Sequence, residues 1–115
     1  MDLEKIKLEL RRFTKERDWE QFHDPKNLSM ALSVEVAELV EIFQWSKSGG
    51  LDEIKDPETK EAIQKEIADI FNYLLKLVDL MDMDLEKVAL EKIQENAKKY
   101  PIEKSLGKSD KYHKL

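Results

Sequence analysis

The chain has 115 residues, about the length of one domain, and 41% of them are hydrophobic while 39% are charged. This balance is too apolar for a disordered chain, and no apolar run approaches the roughly 20 residues that a membrane span needs. The net charge is −5, and the basic residues form no stripe of the kind that duplex nucleic acid requires, so we expect no duplex nucleic-acid partner.

The N-terminal sequence and the absence of cysteine indicate in which cellular compartment the protein is expected. The opening MDLEKIKLEL is amphipathic and begins acidic, unlike a secretory signal peptide. The absence of cysteine excludes disulfides and thiolate metal sites and is compatible with a reducing compartment. We therefore expect a cytoplasmic protein that does not enter the membrane.

Four helices are predicted, because glycine and proline are scarce and β-branched runs are absent. Asp56 followed by Pro57 is a helix-start signal, Asp84 reads as the next N-cap, and Pro101 ends the last helix. The loop before the second helix contains Trp19 and His23. In chain order, the predicted helices cover about residues 2–17, 28–46, 57–82 and 85–99.

These elements predict an all-α fold, a four-helix bundle that forms a single domain over residues 1–101. Residues 102–115 are polar and lysine-rich and are predicted to be a flexible tail. The second helix is apolar almost all round, because only Ser33, Glu41 and Gln44 form a polar strip. A bundle of this size rarely needs so apolar a helix, so we expect a homo-oligomer that buries its second face.

Two acidic pairs lie where helices two and three should be apolar. On a helical wheel of about 100° per residue, Glu35 and Glu38 fall among the apolar residues of helix two. On helix three, Glu66 falls inside the apolar arc and Asp69 at its edge. Buried carboxylates are costly unless they are paired, hydrogen-bonded or bound to a metal, so these four residues are candidate metal ligands.

The sequence permits two other interpretations of the acids. Salt bridges to buried basic residues would satisfy them, but Lys65 and Lys76 are expected on the polar side of helix three. A di-iron bundle would need Glu-x-x-His pairs, and neither His23 nor His113 stands three residues after a glutamate. Oxygen ligands favour a hard divalent cation, Mg²⁺ with Mn²⁺ as a possible substitute.

Helix four contains a further polar signal. Asn96 falls inside its apolar arc, with Lys92 and Lys99 about one turn to either side. An amide and two lysines suit a contact with a sugar or a phosphate, although a solvated lysine edge is the plainer interpretation.

The order of these motifs resembles the MazG-like nucleotide pyrophosphohydrolases, closest to the branch that cleaves dCTP. The resemblance is carried by Glu35-x-x-Glu38 with Glu66-x-x-Asp69, and by three further stretches that extend it over residues 17–101. The stretches are RDWEQFHDPKNL at 17–28, EIFQW at 41–45, and Lys92-x-x-x-Asn96-x-x-Lys99-Tyr100-Pro101. Val34 stands where many family members carry a further glutamate, a departure shared with the dCTP-cleaving branch.

The resemblance implies a helical dimer or tetramer that cleaves a nucleoside triphosphate, dCTP or a modified dCTP, to the monophosphate and pyrophosphate. It implies that Glu35, Glu38, Glu66 and Asp69 bind Mg²⁺, and that Lys92, Asn96, Lys99 and Tyr100 contact sugar or phosphate. The nucleoside pocket would be lined by Trp19, His23, Asn27, Trp45 and Tyr73. From the residues alone, Trp19 and Trp45 could equally be core aromatics, and His23 a surface residue.

The expected mechanism is attack of a water, made acidic by the cation, on the α-phosphorus, with Glu38 or Glu35 as the catalytic carboxylate. Three alternatives stay open. They are a helical module that binds or senses a nucleotide without turnover, a broad house-cleaning hydrolase of non-standard nucleotides, and a purely structural oligomer.

Overall fold

The computed structural model describes all 115 residues and contains helices and no strands, which confirms the predicted all-α class. The chain divides into two compact units, Met1–Met81 and Asp82–Leu115, and each is described by itself. The predicted boundary at residue 101 stays a prediction. The α-helices are α1 (Leu3–Glu16), α2 (Pro25–Ile42), α3 (Pro57–Leu80), α4 (Leu85–Lys99) and α5 (Ile102–Ser105).

Aspartate caps explain where α2 and α3 begin. The Asp56 carboxylate accepts a hydrogen bond from the Thr59 backbone at 3.0 Å, and Pro57 occupies the first turn, as predicted. Asp24 does the same for α2, accepting from the Asn27 backbone at 2.7 Å, with Pro25 as the first helical residue. Helix α2 therefore begins three residues before the predicted position 28, because the same Asp-Pro signal occurs there.

Helix α2 also ends earlier than predicted, at Ile42 rather than at residue 46. The chain leaves the helix through turns in which the Ser46 backbone N–H donates to the carbonyl of Phe43 at 3.0 Å. The Ser46 hydroxyl then donates to the carboxylate of Glu53 at 2.8 Å. A side-chain contact across the following loop thus holds residues 43–46 out of the helix.

Helix α3 is the centre of the first unit and packs against both α2 and α1. Leu28 of α2 and Leu75 of α3 are each only 1% exposed, and Val78 is buried as well. On the α1 side, Arg11 makes two hydrogen bonds to Asp79, at 2.7 and 2.5 Å. This unit therefore combines a small apolar core with polar ties between α1 and α3.

Much of the apolar surface of α2 is uncovered in the single chain. The sequence of the helix is mostly apolar, yet several of its large apolar side chains are exposed, and Val40 is the most exposed at 63%. We call these residues the open apolar face, and they are Met30, Val34, Val36 and Val40 of α2 with Ile67 and Leu74 of α3.

The second unit consists of α4, α5 and a final 3₁₀ turn at Tyr112–Lys114. Asp84 caps α4 as predicted, because its carboxylate accepts from the Lys87 backbone at 3.1 Å. The rings of Tyr100 and Tyr112 meet edge to face at 6.2 Å. None of the helices in the chain combines the length and apolar character required to span a bilayer.

Candidate metal centre and adjacent cavity

Helices α2 and α3 bring three of the four predicted metal ligands together. Glu35 and Glu38 lie about one turn apart on α2, and Glu66 faces them from α3. One oxygen from each of these three carboxylates lies within 4.8 Å of the other two. Asp69 lies outside this group, although its charge acts on both Glu35 and Glu66. We call Glu35, Glu38 and Glu66 the acid triad.

The acid triad is partly removed from water. Glu35 and Glu66 are half-buried, whereas Glu38 is exposed at the edge. Burial, and then the facing carboxyl groups of Glu66 and Glu38, raise the pKa of Glu35 to about 7. Burial likewise raises the pKa of Glu66. The site therefore resists holding its full negative charge in the absence of a cation.

The buried oxygens of the triad point to a missing positive partner. Oε2 of Glu35 and Oε2 of Glu66 are buried and have no hydrogen-bond partner. The two lysines considered as alternatives are engaged elsewhere, since Lys65 pairs with Glu61 at 3.3 Å and Lys76 donates to Thr14. A set of carboxylate oxygens with unfilled lone pairs suits a hard divalent cation. The carboxylates of the acid triad therefore fit a metal site, and we prefer this interpretation to salt bridges with buried lysines.

A cavity of about 780 Å³ lies between α1 and α3. Asp69 forms part of its lining, so one end lies next to the acid triad. Trp19 forms an aromatic wall, edge-on to Phe13 at 5.8 Å and to His23 at 6.1 Å. Tyr73, about one turn beyond Asp69 on α3, lines the same space. The volume falls in the range of small-molecule sites.

The structure thus places Trp19, His23 and Tyr73 together in one cavity, and it places Asn27 and Trp45 elsewhere. The Asn27 amide donates to the carbonyl of Phe22 at 2.9 Å, where it supports the start of α2. Trp45 follows the end of α2 and is 86% exposed. Contacts of these two residues with a nucleoside stay predictions.

The predicted sugar and phosphate contacts all belong to the second unit. Lys92 and Lys99 both pair with Glu95, at 3.1 and 3.6 Å. The Lys99 ammonium also lies over the ring of Tyr112 at 5.1 Å. Asn96 is exposed, and Tyr100 contacts Tyr112. The substrate contacts of Lys92, Asn96, Lys99 and Tyr100 also stay predictions.

Sequence reasoning missed several polar residues of the cavity, among them Asn72 and Lys76 of α3. Lys76 was expected on the polar side of α3, and this was wrong, because it is half-buried and donates to the hydroxyl of Thr14 on α1. The signal was available in the spacing. Positions 69, 73 and 76 follow the three-four-seven rule for one helical face, so Lys76 shares the face of Asp69 and Tyr73.

The fold and the site define a class of protein, an all-α protein with a carboxylate centre beside a cavity of small-molecule size. Comparison with known proteins agrees with this class. A model of the MazG-like family matches residues 30–115, and the chain belongs to that family. The chain is similar to dCTP pyrophosphatase 1 of Rattus norvegicus, with 40% identity over 104 residues that cover 90% of this chain and 61% of the relative. The Bos taurus protein of the same name is 42% identical over 108 residues, 90% of this chain and 62% of the relative.

A solved structure is similar as well. It is a pyrophosphatase from Archaeoglobus fulgidus DSM 4304, with a TM-score of 0.68 and 40% identity over 80% of this chain and 85% of that one. The chain spans about three fifths of the length of the curated relatives it matches. The family that the sequence motifs predicted is confirmed. Membership of this family implies a divalent metal, and the acid triad is a cluster that could bind one.

The raised pKa of Glu35 predicts how metal-free stability depends on pH. Because its pKa is higher in the folded state, Glu35 contributes stability that is complete below its ordinary pKa of 4.5 and is lost as the pH rises through about 7. Replacing Glu35 with Gln removes this loss. In EDTA, the thermal midpoint of Glu35→Gln should therefore gain on the wild type between pH 5 and pH 8, while Glu91→Gln, an exposed control, should follow the wild type. Parallel midpoints for Glu35→Gln and the wild type would contradict the buried-acid account.

Proposed function

We propose that the protein is a metal-dependent nucleoside triphosphate pyrophosphohydrolase that cleaves dCTP, or a modified dCTP, to the monophosphate and pyrophosphate. The observation that carries the proposal is the acid triad with its unpartnered buried oxygens, beside a cavity of about 780 Å³. Asp69 lines this cavity, and its charge acts on Glu35 and Glu66. The names of the similar proteins, dCTP pyrophosphatase 1 and pyrophosphatase, support the same reaction and substrate.

The acid triad and Asp69 would hold the cation, Mg²⁺ or, in its place, Mn²⁺. When bound, a divalent cation neutralises charge on the triphosphate and makes an attacking water more acidic. Glu38 is the exposed member of the triad, so its carboxylate is available to take the proton of that water. Glu35, which is half-buried, would contribute mainly by ligation.

The nucleoside would occupy the cavity between α1 and α3. Trp19 and Tyr73 supply aromatic surface for the base and the sugar, and His23 supplies a ring nitrogen. Nδ1 of His23 is buried without a hydrogen-bond partner, as expected of a group that a ligand completes. Binding would therefore position the α-phosphate at the acid end of the cavity and the base away from it.

The remaining site residues are proposed on the family resemblance. Lys92, Asn96, Lys99 and Tyr100 would contact sugar or phosphate, and Asn27 and Trp45 would border the nucleoside pocket. Lysine ammonium groups act as point charges towards phosphate oxygens, which suits Lys92 and Lys99.

We also propose that the protein is a homo-oligomer, a dimer or a tetramer. The open apolar face presents six large apolar side chains on α2 and α3 to solvent. A group of large exposed apolar side chains on one helix pair favours an interaction site. A second copy of the chain offers the same apolar surface, so the face can be buried by a symmetric contact.

The reaction is tested by pyrophosphate release from a panel of ribo- and deoxyribonucleoside triphosphates. With Mg²⁺, dCTP should be cleaved in preference to the others, and EDTA should abolish release. Glu35→Gln and Glu66→Gln should each lower kcat/KM by more than the roughly 100-fold that loss of an outer-shell partner costs, because a ligand is removed. Glu91→Gln is the matched control and should retain full activity.

Three outcomes would change the proposal. No release from any triphosphate with Mg²⁺ or Mn²⁺ would favour a nucleotide-binding module. Similar rates across non-standard nucleotides would favour a broad house-cleaning enzyme. Full activity of both variants would remove the acid triad from the site.

The oligomer is tested by sedimentation of the wild type and of Val40→Glu. The wild type should sediment as a dimer or tetramer at micromolar concentration. Val40→Glu should shift it towards the monomer, because burying an unpaired carboxylate is costly. Lys5→Glu, at an exposed position on α1, should leave the oligomer intact. A monomeric wild type would show that the open apolar face has another occupant.

A further inference from the structure

We propose that Lys76 is a specificity-determining residue, whose ammonium group donates a hydrogen bond to the acceptor edge of a cytosine base, at N3 and O2. The inference deepens the proposed function and rests on it for the identity of the nucleotide. It concerns the end of the cavity that lies away from the acid triad.

Lys76 lies as far from the metal site as the base of a bound nucleotide would lie. Lys76 lies seven residues after Asp69 on α3, which is about 10 Å along the helix axis, and Tyr73 lies between them on the same face. All three residues line the cavity. A nucleotide whose phosphates are held near Asp69 would therefore pass Tyr73 with its sugar and reach Lys76 with its base.

The ammonium group is held in place without being neutralised. Thr14 is buried, and its hydroxyl donates to the Leu10 carbonyl at 2.8 Å while it accepts from Lys76. An ammonium carries three donors, and the contact with Thr14 uses one of them. Asp79 acts on the Lys76 charge, and its carboxylate already makes two hydrogen bonds to Arg11. Glu20 also acts on the Lys76 charge, but neither acid forms an ion pair with it. A half-buried ammonium group that uses one of its three donors favours a ligand as a further acceptor.

The groups beside Lys76 indicate which base is accepted. Burial, and then the Lys76 charge, lower the pKa of His23, so its imidazole is neutral at neutral pH. Its Nδ1 is the buried atom without a partner, and it can accept a hydrogen bond. Cytosine presents an exocyclic amino donor next to the N3 and O2 acceptors, which complements a neutral imidazole and an ammonium group. Thymine and uracil carry a hydrogen on N3 and a carbonyl at position 4. The contacts at these two positions would therefore be mismatched, and only O2 would remain as an acceptor for Lys76.

The test compares dCTP with 3-deaza-dCTP, which lacks the N3 acceptor, for the wild type and for Lys76→Met. Methionine preserves most of the side-chain volume and removes the donor. The wild type should prefer dCTP by about 10- to 100-fold in kcat/KM, the range expected for one hydrogen bond to a charged group. Lys76→Met should lose that preference, and its preference for dCTP over dUTP and dTTP should fall with it. Lys60→Met, an exposed lysine on α3, is the control and should keep both preferences.

A merely structural role for Lys76 would lower all rates together and leave the ratio between nucleotides unchanged, and that result would overturn the inference. If Lys76→Met fails to fold, Thr14→Val removes the hydroxyl that holds the ammonium and should reduce the same ratio. If the wild type releases no pyrophosphate at all, the proposed function fails. Dissociation constants for dCTP and 3-deaza-dCTP, measured with Ca²⁺, then give the same ratio and test Lys76 independently.

Discussion

The repulsion among the carboxylates that face one another between α2 and α3 is the constraint on which the rest of the site depends. The two helices pack through apolar contacts, and that packing brings Glu35 and Glu66 together with Glu38 at their edge. Water is partly excluded, so the charges are poorly solvated, and the pKa of Glu35 rises to about 7. A divalent cation at this point would turn the most unfavourable feature of the helix pair into a source of stability.

The cavity follows from the same helix. Because α3 carries Glu66 and Asp69 on one stretch and Tyr73 and Lys76 on the next turns, it presents acid, aromatic and basic side chains in order along one face. This order matches the chemical order of a nucleotide, from the metal-bound phosphates through the sugar to the base. Helix α1 closes the other side with Leu10 and Phe13. In the proposed function, this one helix would therefore set both the chemistry of the site and the direction in which a nucleotide binds.

The fold was largely predictable from the sequence, because helix starts are local signals. Asp56-Pro57 and Asp84 correctly marked the beginnings of α3 and α4. Asp24-Pro25 carries the same signal and was not used, so α2 was placed three residues late. The end of α2 was not predictable in this way, since it depends on the contact between Ser46 and Glu53 across a loop.

The site was predictable where a charged residue occupies a helix position whose neighbours on the same face are apolar. Glutamates inside apolar arcs identified the acid triad, whereas Asp69 lies outside it in this structure. Lys76 was missed because a lysine on a helix is ordinarily solvated, and only the tertiary packing of α1 on α3 gives it Thr14 as a partner. The pocket roles of Asn27 and Trp45 come from the resemblance. The structure places neither residue in the lining of the cavity.

The central claim, that the acid triad binds a divalent cation, is tested most directly by titrating Mn²⁺ into nucleotide-free protein and following the free Mn²⁺ signal by electron paramagnetic resonance. The account predicts saturable binding to the wild type and to Glu91→Gln. The same titration should show no saturable binding to a Glu35→Gln, Glu66→Gln double variant that remains helical by circular dichroism. Equal binding by the double variant and the wild type, or none by the wild type, would contradict it.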